Sequence, residues 1–187
     1  MGRIVLVTGG ARSGKSSFAE QLVAGFGAEI AYIATARPFD DEMVDRIARH
    51  RQQRPSTWQT FEAPEQPSVV IAEQGQWCDA ILLDCLTVLT TNRLLRHDID
   101  WDQPPRDRLA AIETAVLAEI EALCRAAGQA RADLVAVTNE VGCGIVPASA
   151  MARFFRDCAG RVNQRMAAVA SEVYWVVSGI PVRIKGG

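Results

Sequence analysis

The sequence predicts an α/β fold in which a mostly parallel sheet is flanked by helices. Five apolar, β-branched runs are nearly continuous rather than alternating, which is typical of strands buried on both faces. Segments with helical periodicity lie between these runs, and a glycine-rich turn joins the first run to the first helix. Alternation of buried strands with helices is the pattern of a doubly wound sheet.

Length and composition indicate a single globular domain over residues 1–187. The chain has 49% hydrophobic and 22% charged residues, and a chain of this length buries about 70% of its unfolded surface without help from disulfides or metals. Its formal net charge of −2 gives no excess of basic residues for binding phosphodiester backbones, so we expect no nucleic-acid partner.

The cysteine pattern and the hydropathy favour a cytoplasmic protein. The five cysteines include no C-x-x-C pair, so we expect reduced structural thiols rather than disulfides or a zinc site. No apolar stretch reaches the roughly 18 to 20 residues of a membrane span, so none is expected. The cysteines are Cys78, Cys85, Cys124, Cys143 and Cys158.

The predicted strands follow the apolar runs. They are Ile4–Thr8, Ile30–Thr35, Ala80–Asp84, Leu134–Asn139 and Val173–Ser178. A sixth short strand, Val182–Lys185, is expected to close the sheet as an antiparallel edge, because Pro181 cannot donate a ladder hydrogen bond.

Three helices are predicted between these strands, at Ser16–Gly25, 106–127 and 148–171. Residues 106–127 place apolar side chains three and four apart, with Gly128 as the expected C-cap. Residues 148–171 also place apolar side chains three and four apart, and four arginines lie on the other faces of this predicted helix. These arginines are either solvated or contacts for an anionic substrate. The two apolar stripes are Leu109, Ile112, Val116, Ile120 and Leu123, and Met151, Phe155, Cys158, Val162, Met166 and Val169. Asp98–Pro105 is the predicted loop, since Pro104 and Pro105 interrupt any helix.

The strongest motif is Gly9–Ser16, a complete G-x-x-x-x-G-K-S match between the first strand and the first helix. In such a loop the backbone N–H groups and the helix N-terminus face phosphate oxygens. Lys15 is expected to reach the β- and γ-phosphates, and Ser16 to supply its hydroxyl to Mg²⁺. The motif therefore predicts a P-loop NTPase fold of the RecA-like kind that binds a nucleoside triphosphate. The alternative is a glycine-rich turn that binds nothing.

Acidic residues follow two of the buried strands. Asp84, expected at the end of a neighbouring strand, would hold the magnesium ion, and the alternative is a turn aspartate. Glu140 ends the Leu134–Asn139 strand at the carboxyl edge of the sheet, where it would orient an acceptor hydroxyl or serve as a turn carboxylate.

A helix is also predicted from Asp40, as N-cap, to Gln53, and it contains His50. Arg46, Arg49, Arg51 and Arg54 surround this histidine in sequence, where they would favour a neutral, nucleophilic imidazole and bind a triphosphate. The alternative is a solvated basic helix with a chance histidine. His97, in a polar segment, is expected to be a bystander.

Together the motifs resemble the bifunctional adenosylcobinamide kinase and adenosylcobinamide-phosphate guanylyltransferase family of cobalamin biosynthesis. They span nearly the whole chain in the family's order, although this chain has Arg49 where some relatives have a second histidine. The matching segments are Val7–Ser16, Tyr32–Thr35, Asp40–Met43, Arg46-Ile47 with His50, Arg54-Pro55, Val137–Gly142, Gly144–Pro147, Gly160–Arg165 and Val177–Gly179.

The resemblance implies two reactions. ATP or GTP first phosphorylates the aminopropanol hydroxyl of adenosylcobinamide, with Lys15 as a catalytic residue. GTP then guanylylates His50 with loss of pyrophosphate, and GMP passes to adenosylcobinamide phosphate to give adenosylcobinamide-GDP. The resemblance also implies a homo-oligomer, a trimer. The implied nucleotide contacts are Gly9, Gly10, Ala11, Arg12, Ser13, Gly14, Lys15, Ser16, Ala34, Thr35, Ala36, Arg51, Gln52, Gln53, Arg54, Glu62 and Asp84, with Ser16 and Asp84 also as Mg²⁺ ligands.

Two other functions use the same loop. A plain small-molecule kinase would form no covalent nucleotide adduct, and a RecA-like nucleotide-switched binding protein would respond to DNA or a protein partner.

Overall fold

The structure is a computed structural model that describes residues 2–38, 41, 44, 45, 48, 51 and 54–186. Strands and helices alternate along most of the chain, as predicted. The strands are β1 (Ile4–Gly9), β2 (Ile30–Ala34), β3 (Gln59–Glu62), β4 (Ala80–Asp84), β5 (Asp133–Asn139), β6 (Glu172–Val177) and β7 (Ile180–Lys185). The helices are α1 (Lys15–Ala24), α2 (Pro67–Gln74), α3 (Leu86–Leu95), α4 (Arg106–Gln129) and α5 (Ala150–Val169), and positions 41, 44, 45, 48 and 51 are also helical.

The described strands form a seven-stranded sheet in the order β3-β2-β4-β5-β1-β6-β7. All neighbouring strands pair in parallel except β6 and β7, which pair antiparallel at one edge, as predicted. Together with the G-x-x-x-x-G-K-S loop between β1 and α1, this mostly parallel sheet confirms the predicted P-loop NTPase fold.

The core lies on both faces of the sheet. Residues alternate between faces along each strand, so that Val5 and Val7 of β1 pack toward α1 while Ile4 and Leu6 pack toward the helices of the opposite face. On that opposite face α2 packs against α4, and α5 packs against α3 and α4. Burial on both faces explains why the central strands are continuous apolar runs.

The ends of the predicted helices need correction. Gly128 lies inside α4 rather than capping it, and the C-cap is Ala130, whose N–H bonds to carbonyls of the last turn. Val169, expected on the buried stripe of α5, is 51% exposed because the helix ends there. The stripe residues Cys158, Val162 and Met166 are buried, and the corresponding α4 stripe is buried from Ile112 to Leu123.

Three elements were not predicted. They are β3, whose Gln-Thr-Phe-Glu sequence is too short and polar to stand out, and the helices α2 and α3. The position of Asp84 is a further correction, because β5 lies between β4 and β1 and the two strands are not neighbours.

Candidate active site

The loop between β1 and α1 has the conformation that its glycines predict. Gly14 is the N-cap of α1 with a φ of 93°, a left-handed conformation that favours glycine. A Cβ at Gly14 would lie 3.0 Å from the Cα of Gly179, so the turn between β6 and β7 leaves no room for a larger residue. Lys15 is buried, and its Nζ donates to the carbonyl of Gly10 at 3.1 Å. The ammonium therefore lies against the loop that is expected to bind phosphate.

Neighbouring segments hold this loop from two sides. The N–H of Gly179 donates to the carbonyl of Ser13 at 2.8 Å, and the N–H of Glu140 donates to the carbonyl of Gly9 at 3.0 Å. The Glu140 carboxylate accepts from the N–H of Gly142 at 2.6 Å, so the structure shows its turn role. The loop is therefore fixed to the ends of β5 and β6 before any ligand binds.

A cavity of about 430 Å³ opens at the carboxyl ends of β2, β3 and β4. The strand register puts Glu62, Ala34 and Asp84 side by side in adjacent strands. Seven of the predicted nucleotide contacts line this cavity. They are Ser16, Ala34, Ala36, Arg51, Arg54, Glu62 and Asp84.

Tyr32 connects the cationic and acidic sides of the cavity. Its hydroxyl donates to Oδ2 of Asp84 at 2.9 Å, and the guanidinium of Arg54 lies over its ring, 3.5 Å from the centroid. Burial, followed by the nearby Asp84 charge, raises the pKa of Tyr32, so its hydroxyl stays a donor.

Glu20, on α1 one turn after Ser16, adds a second carboxylate near Asp84. Its Oε1 is buried without a hydrogen-bond partner among the described residues. Burial and then the Asp84 charge raise the pKa of Glu20, while Arg54 lowers it. A bound cation would neutralise this pair of carboxylates and give the buried Oε1 of Glu20 a partner.

Two buried threonine hydroxyls form hydrogen bonds to the backbone of residues that line the cavity. Oγ1 of Thr35 accepts from the N–H of Cys85 at 2.8 Å and donates to the carbonyl of Cys85 at 2.9 Å. Oγ1 of Thr87 accepts from the N–H of Asn139 at 2.7 Å, and Asn139 lines the cavity. Because Thr35 is fully buried and its Oγ1 serves Cys85, its structural role is to align strand ends, and its predicted nucleotide contact stays a prediction.

Apart from Thr35, which is buried beside Cys85, the predicted site residues fall into three groups. The cavity collects the seven residues above, while Gly9 to Lys15 form the adjacent loop. His50, Gln52 and Gln53 lie outside the described residues. Sequence reasoning assigned no role to Tyr32, Glu20 or Asn139. Tyr32 and Asn139 lie in segments that carry the family resemblance but were given no function there, and Glu20 lies in no motif.

The donor set is compatible with the expected Mg²⁺. Ser16 and Asp84 line one cavity and offer a hydroxyl and a carboxylate, the hard oxygen ligands that Mg²⁺ prefers. No group of three or more His, Cys, Asp and Glu side chains within 2–38 and 54–186 or at the described positions between could hold a metal. Such a sparse set is usual for Mg²⁺, since nucleotide phosphates and water complete its shell.

Comparison with known proteins identifies the family. Residues 5–184 match the family model described as cobinamide kinase / cobinamide phosphate guanyltransferase. The chain belongs to this family. It is therefore an enzyme, a kinase and nucleotidyltransferase with a P-loop nucleotide site, and its predicted place in cobalamin biosynthesis is confirmed.

Curated relatives agree over nearly their full length. The chain is 49% identical over 182 residues to the bifunctional adenosylcobalamin biosynthesis protein CobU of Escherichia coli K12, covering 97% of this chain and 99% of the relative. The CobU protein of Salmonella typhimurium gives the same identity and coverage. The protein CobP of Pseudomonas aeruginosa is 38% identical over 97% of this chain and 96% of its own. These matches favour a bifunctional enzyme over a nucleotide-switched binding protein.

A solved structure of the P4 protein from bacteriophage phi6 in complex with ADP covers 96% of this chain and 54% of its own, with 12% identity. The TM-score of this match is 0.43. None of the described helices combines the length and apolarity needed to cross a membrane.

Proposed function

We propose that this enzyme phosphorylates adenosylcobinamide with ATP or GTP and then transfers GMP from GTP to the product through a guanylyl-histidine. The observation that supports this most directly is the cavity in which Ser16, Asp84, Arg54 and Glu62 converge beside the glycine-rich loop, in a chain of this family. Adenosylcobinamide and its phosphate are the proposed acceptors, and a homo-oligomer, a trimer, is the proposed assembly.

The kinase step requires positioning and charge neutralisation more than covalent chemistry. The loop N–H groups and Lys15 would hold the β- and γ-phosphates, with the anchors at Gly179 and Glu140 keeping the loop in place. Ser16 and Asp84 would hold Mg²⁺, which when bound neutralises phosphate charge. Tyr32 keeps Asp84 oriented through its 2.9 Å hydrogen bond.

The guanylyl step requires a nucleophile whose phosphorus adduct is labile, and imidazole is such a group. The His50 nitrogen would attack the α-phosphorus of GTP, the bond to the pyrophosphate oxygen would break, and the cobinamide phosphate oxygen would later displace His50 to take GMP. His50 is next in sequence to Arg51, which lines the cavity with Arg54. Arg51 and Arg54 would neutralise the phosphates during transfer.

Glu62 supports the choice of guanine. It ends β3 at the rim of the cavity, beside Ala34 in the register. A carboxylate accepts hydrogen bonds only, and guanine offers two neighbouring donors, N1–H and the 2-amino group, that adenine lacks in that arrangement. The remaining proposed contacts, Gln52 and Gln53, would add amide groups near Arg51.

The experiment that tests this function uses α-labelled GTP with wild type, His50→Ala and His97→Ala. We expect acid-labile label on wild type and His97→Ala and none on His50→Ala, with adenosylcobinamide phosphorylation retained in all three because that step needs no imidazole. Label on His50→Ala that is lost in His97→Ala would refute the assignment. Absence of label on wild type would favour a plain kinase.

A further inference from the structure

We propose that the loop 141–149 and the apolar cavity beside it form the binding surface for the corrin ring of the acceptor. We call this surface the apolar platform, formed by Ile145 and Val146 together with the cavity residues. The inference rests on the proposed function, which supplies an acceptor far larger than a nucleotide. The cavity, of about 260 Å³, is lined by Thr91, Leu94, Ser149, Met151, Ala152 and Phe155.

The first observation is the exposure of two adjacent aliphatic side chains. Ile145 is 97% exposed and Val146 is 63% exposed. Single exposed aliphatic residues are common on protein surfaces, but these two are adjacent, and Ser149, three residues later in the same loop, lines a cavity. Leu95, next to the cavity residue Leu94, is also exposed. Covering these exposed aliphatic side chains with a ligand is favourable.

The second observation is the position of the platform relative to the reacting phosphate. The loop 141–149 directly follows Asn139, which lines the nucleotide cavity, and Glu140, whose N–H donates to Gly9 of the phosphate loop. An acceptor hydroxyl must approach the γ-phosphate beside Lys15. Ile145 and Val146 follow Glu140 by five and six residues, so a ring resting on them would be held by a segment that is itself bonded to the phosphate loop.

The third observation is that the loop is anchored at both ends. At its start, Gly142 N–H donates to Glu140 Oε1 at 2.6 Å. At its end, Arg153 donates to the carbonyls of Pro147 at 3.0 Å and Ala148 at 2.5 Å, and the hydroxyl of Ser149 accepts from Ala152 N–H at 3.2 Å. The exposed pair is thus presented on a supported loop, and the association of a large ligand needs to order little of it.

The chemistry of the acceptor fits this surface. A corrin ring carries methyl groups around its macrocycle between the amide side chains, so part of its surface is apolar, whereas the nucleotide cavity has charged groups suited to phosphates. The platform contains no charged side chain among Ile145, Val146 and the residues of its cavity. The charged and apolar parts of the two substrates therefore have separate places on the enzyme.

The test compares two double variants of the full chain. Ile145→Ser/Val146→Ser removes the exposed pair, and Val182→Ser/Ile184→Ser removes an exposed pair on β7, farther along the strand from the Gly179 anchor. Equilibrium dialysis with adenosylcobinamide, followed by its visible absorbance, gives the Kd for the corrinoid. Titration with GTP gives the nucleotide Kd and confirms that each variant is folded.

We expect the platform variant to bind adenosylcobinamide about tenfold or more weakly, with its KM raised and the GTP Kd unchanged within about twofold. The β7 variant should bind both ligands like wild type. An unchanged corrinoid Kd in the platform variant, or a loss confined to the β7 variant, would overturn the inference. Wild-type protein that neither binds nor phosphorylates adenosylcobinamide would instead refute the proposed function, and the inference with it.

A footprint on the unmutated enzyme gives an independent readout. Cys143, in the same loop two residues before Ile145, is exposed, and Cys124 on α4 is half-buried. Saturating adenosylcobinamide should slow alkylation of Cys143 at least about fivefold and leave Cys124 unaffected, as followed by mass spectrometry. Equal alkylation rates of Cys143 with and without corrinoid would count against the platform.

Discussion

Tyr32 combines two recognition roles in one side chain. Its ring contacts the Arg54 guanidinium at 3.5 Å, and its hydroxyl donates to Asp84 at 2.9 Å. The cationic and acidic groups of the nucleotide cavity are therefore held by the same residue. A hydrogen bond to a charged group contributes about 1.5 to 3 kcal/mol, so this contact orients Asp84 strongly.

Tyr32→Phe should retain the Arg54 contact and lose the orientation of Asp84. We expect the Mg²⁺ concentration for half-maximal kinase activity to rise about three- to tenfold, because Asp84 loses a donor that fixes its carboxylate. The matched control is Tyr174→Phe, which removes a hydroxyl that donates to Glu172 at 2.7 Å, on β6. If the Mg²⁺ titration curves of both variants overlap with that of wild type, this role of Tyr32 is contradicted.

Lys15→Ala should reduce adenosylcobinamide phosphorylation at least about a thousandfold, since Lys15 is the ammonium of the phosphate loop. Loss of its 3.1 Å bond to Gly10 leaves the other loop anchors intact, so the variant should fold. Product formation from γ-labelled ATP measures the effect, with the exposed Arg125→Ala as control. Turnover within tenfold of wild type would rule out this role for Lys15.

Residues of the site differ in how far sequence could identify them. Gly14, Lys15 and Ser16 form a contiguous motif whose chemistry is local. Glu20 and Tyr32 belong to the site only because folding brings α1 and β2 beside Asp84. Thr35, which family resemblance marked as a nucleotide contact, has a buried side chain that serves the backbone of Cys85.

Elements were predictable where their burial pattern is simple. The central strands are apolar throughout because both faces are covered, and α4 has a regular stripe. The helix α3 was missed because Thr90 and Thr91 give it a strand-like composition. In the structure their hydroxyls donate to the carbonyls of Leu86 and Thr87, which satisfies them within the helix.

Gly128→Ala should stabilise the protein, because Gly128 lies within α4 and a Cβ there would meet no atom within 4 Å. Replacing an interior helix glycine with alanine gains about 0.5 to 1 kcal/mol, or about 1 to 4 °C in Tm for a chain of this size. Thermal unfolding followed by circular dichroism measures it. The opposing control is Gly14→Ala, where a φ of 93° and the 3.0 Å approach to Gly179 should lower Tm. A Gly128→Ala Tm at or below that of wild type would show that this position requires glycine.

At the scale of the whole molecule, the order of strands in the sheet decides which residues meet. Ser16, Glu62 and Asp84 come from three distant parts of the chain and line one cavity. Sequence indicated that each follows a strand or lies in the phosphate loop, but not that β5 separates β4 from β1. Strand order depends on the packing of all the helices, which no local pattern specifies.

The distribution of cysteines across the molecule predicts their reactivity. Cys85 and Cys158 are buried, and burial raises the pKa of each thiol to about 11, so at pH 7.5 they remain protonated and inaccessible. Cys143 is exposed and should react first with Ellman's reagent, while Cys85 and Cys158 should react only after unfolding in guanidinium. The Cys143→Ser variant should lose the fast phase. Modification of native Cys85 as fast as Cys143 would disprove this assignment.

The hydroxyl bonds beneath the nucleotide cavity have a consequence for binding entropy. Thr35 fixes the backbone at Cys85, and Thr87 fixes the backbone at Asn139, so strand ends that would otherwise lead into freely moving loops are aligned when the chain folds. A ligand that binds here meets backbone and side-chain groups that already have the positions needed for contact. The ordering that often weakens association has been completed during folding, so the contacts made here contribute more fully to affinity.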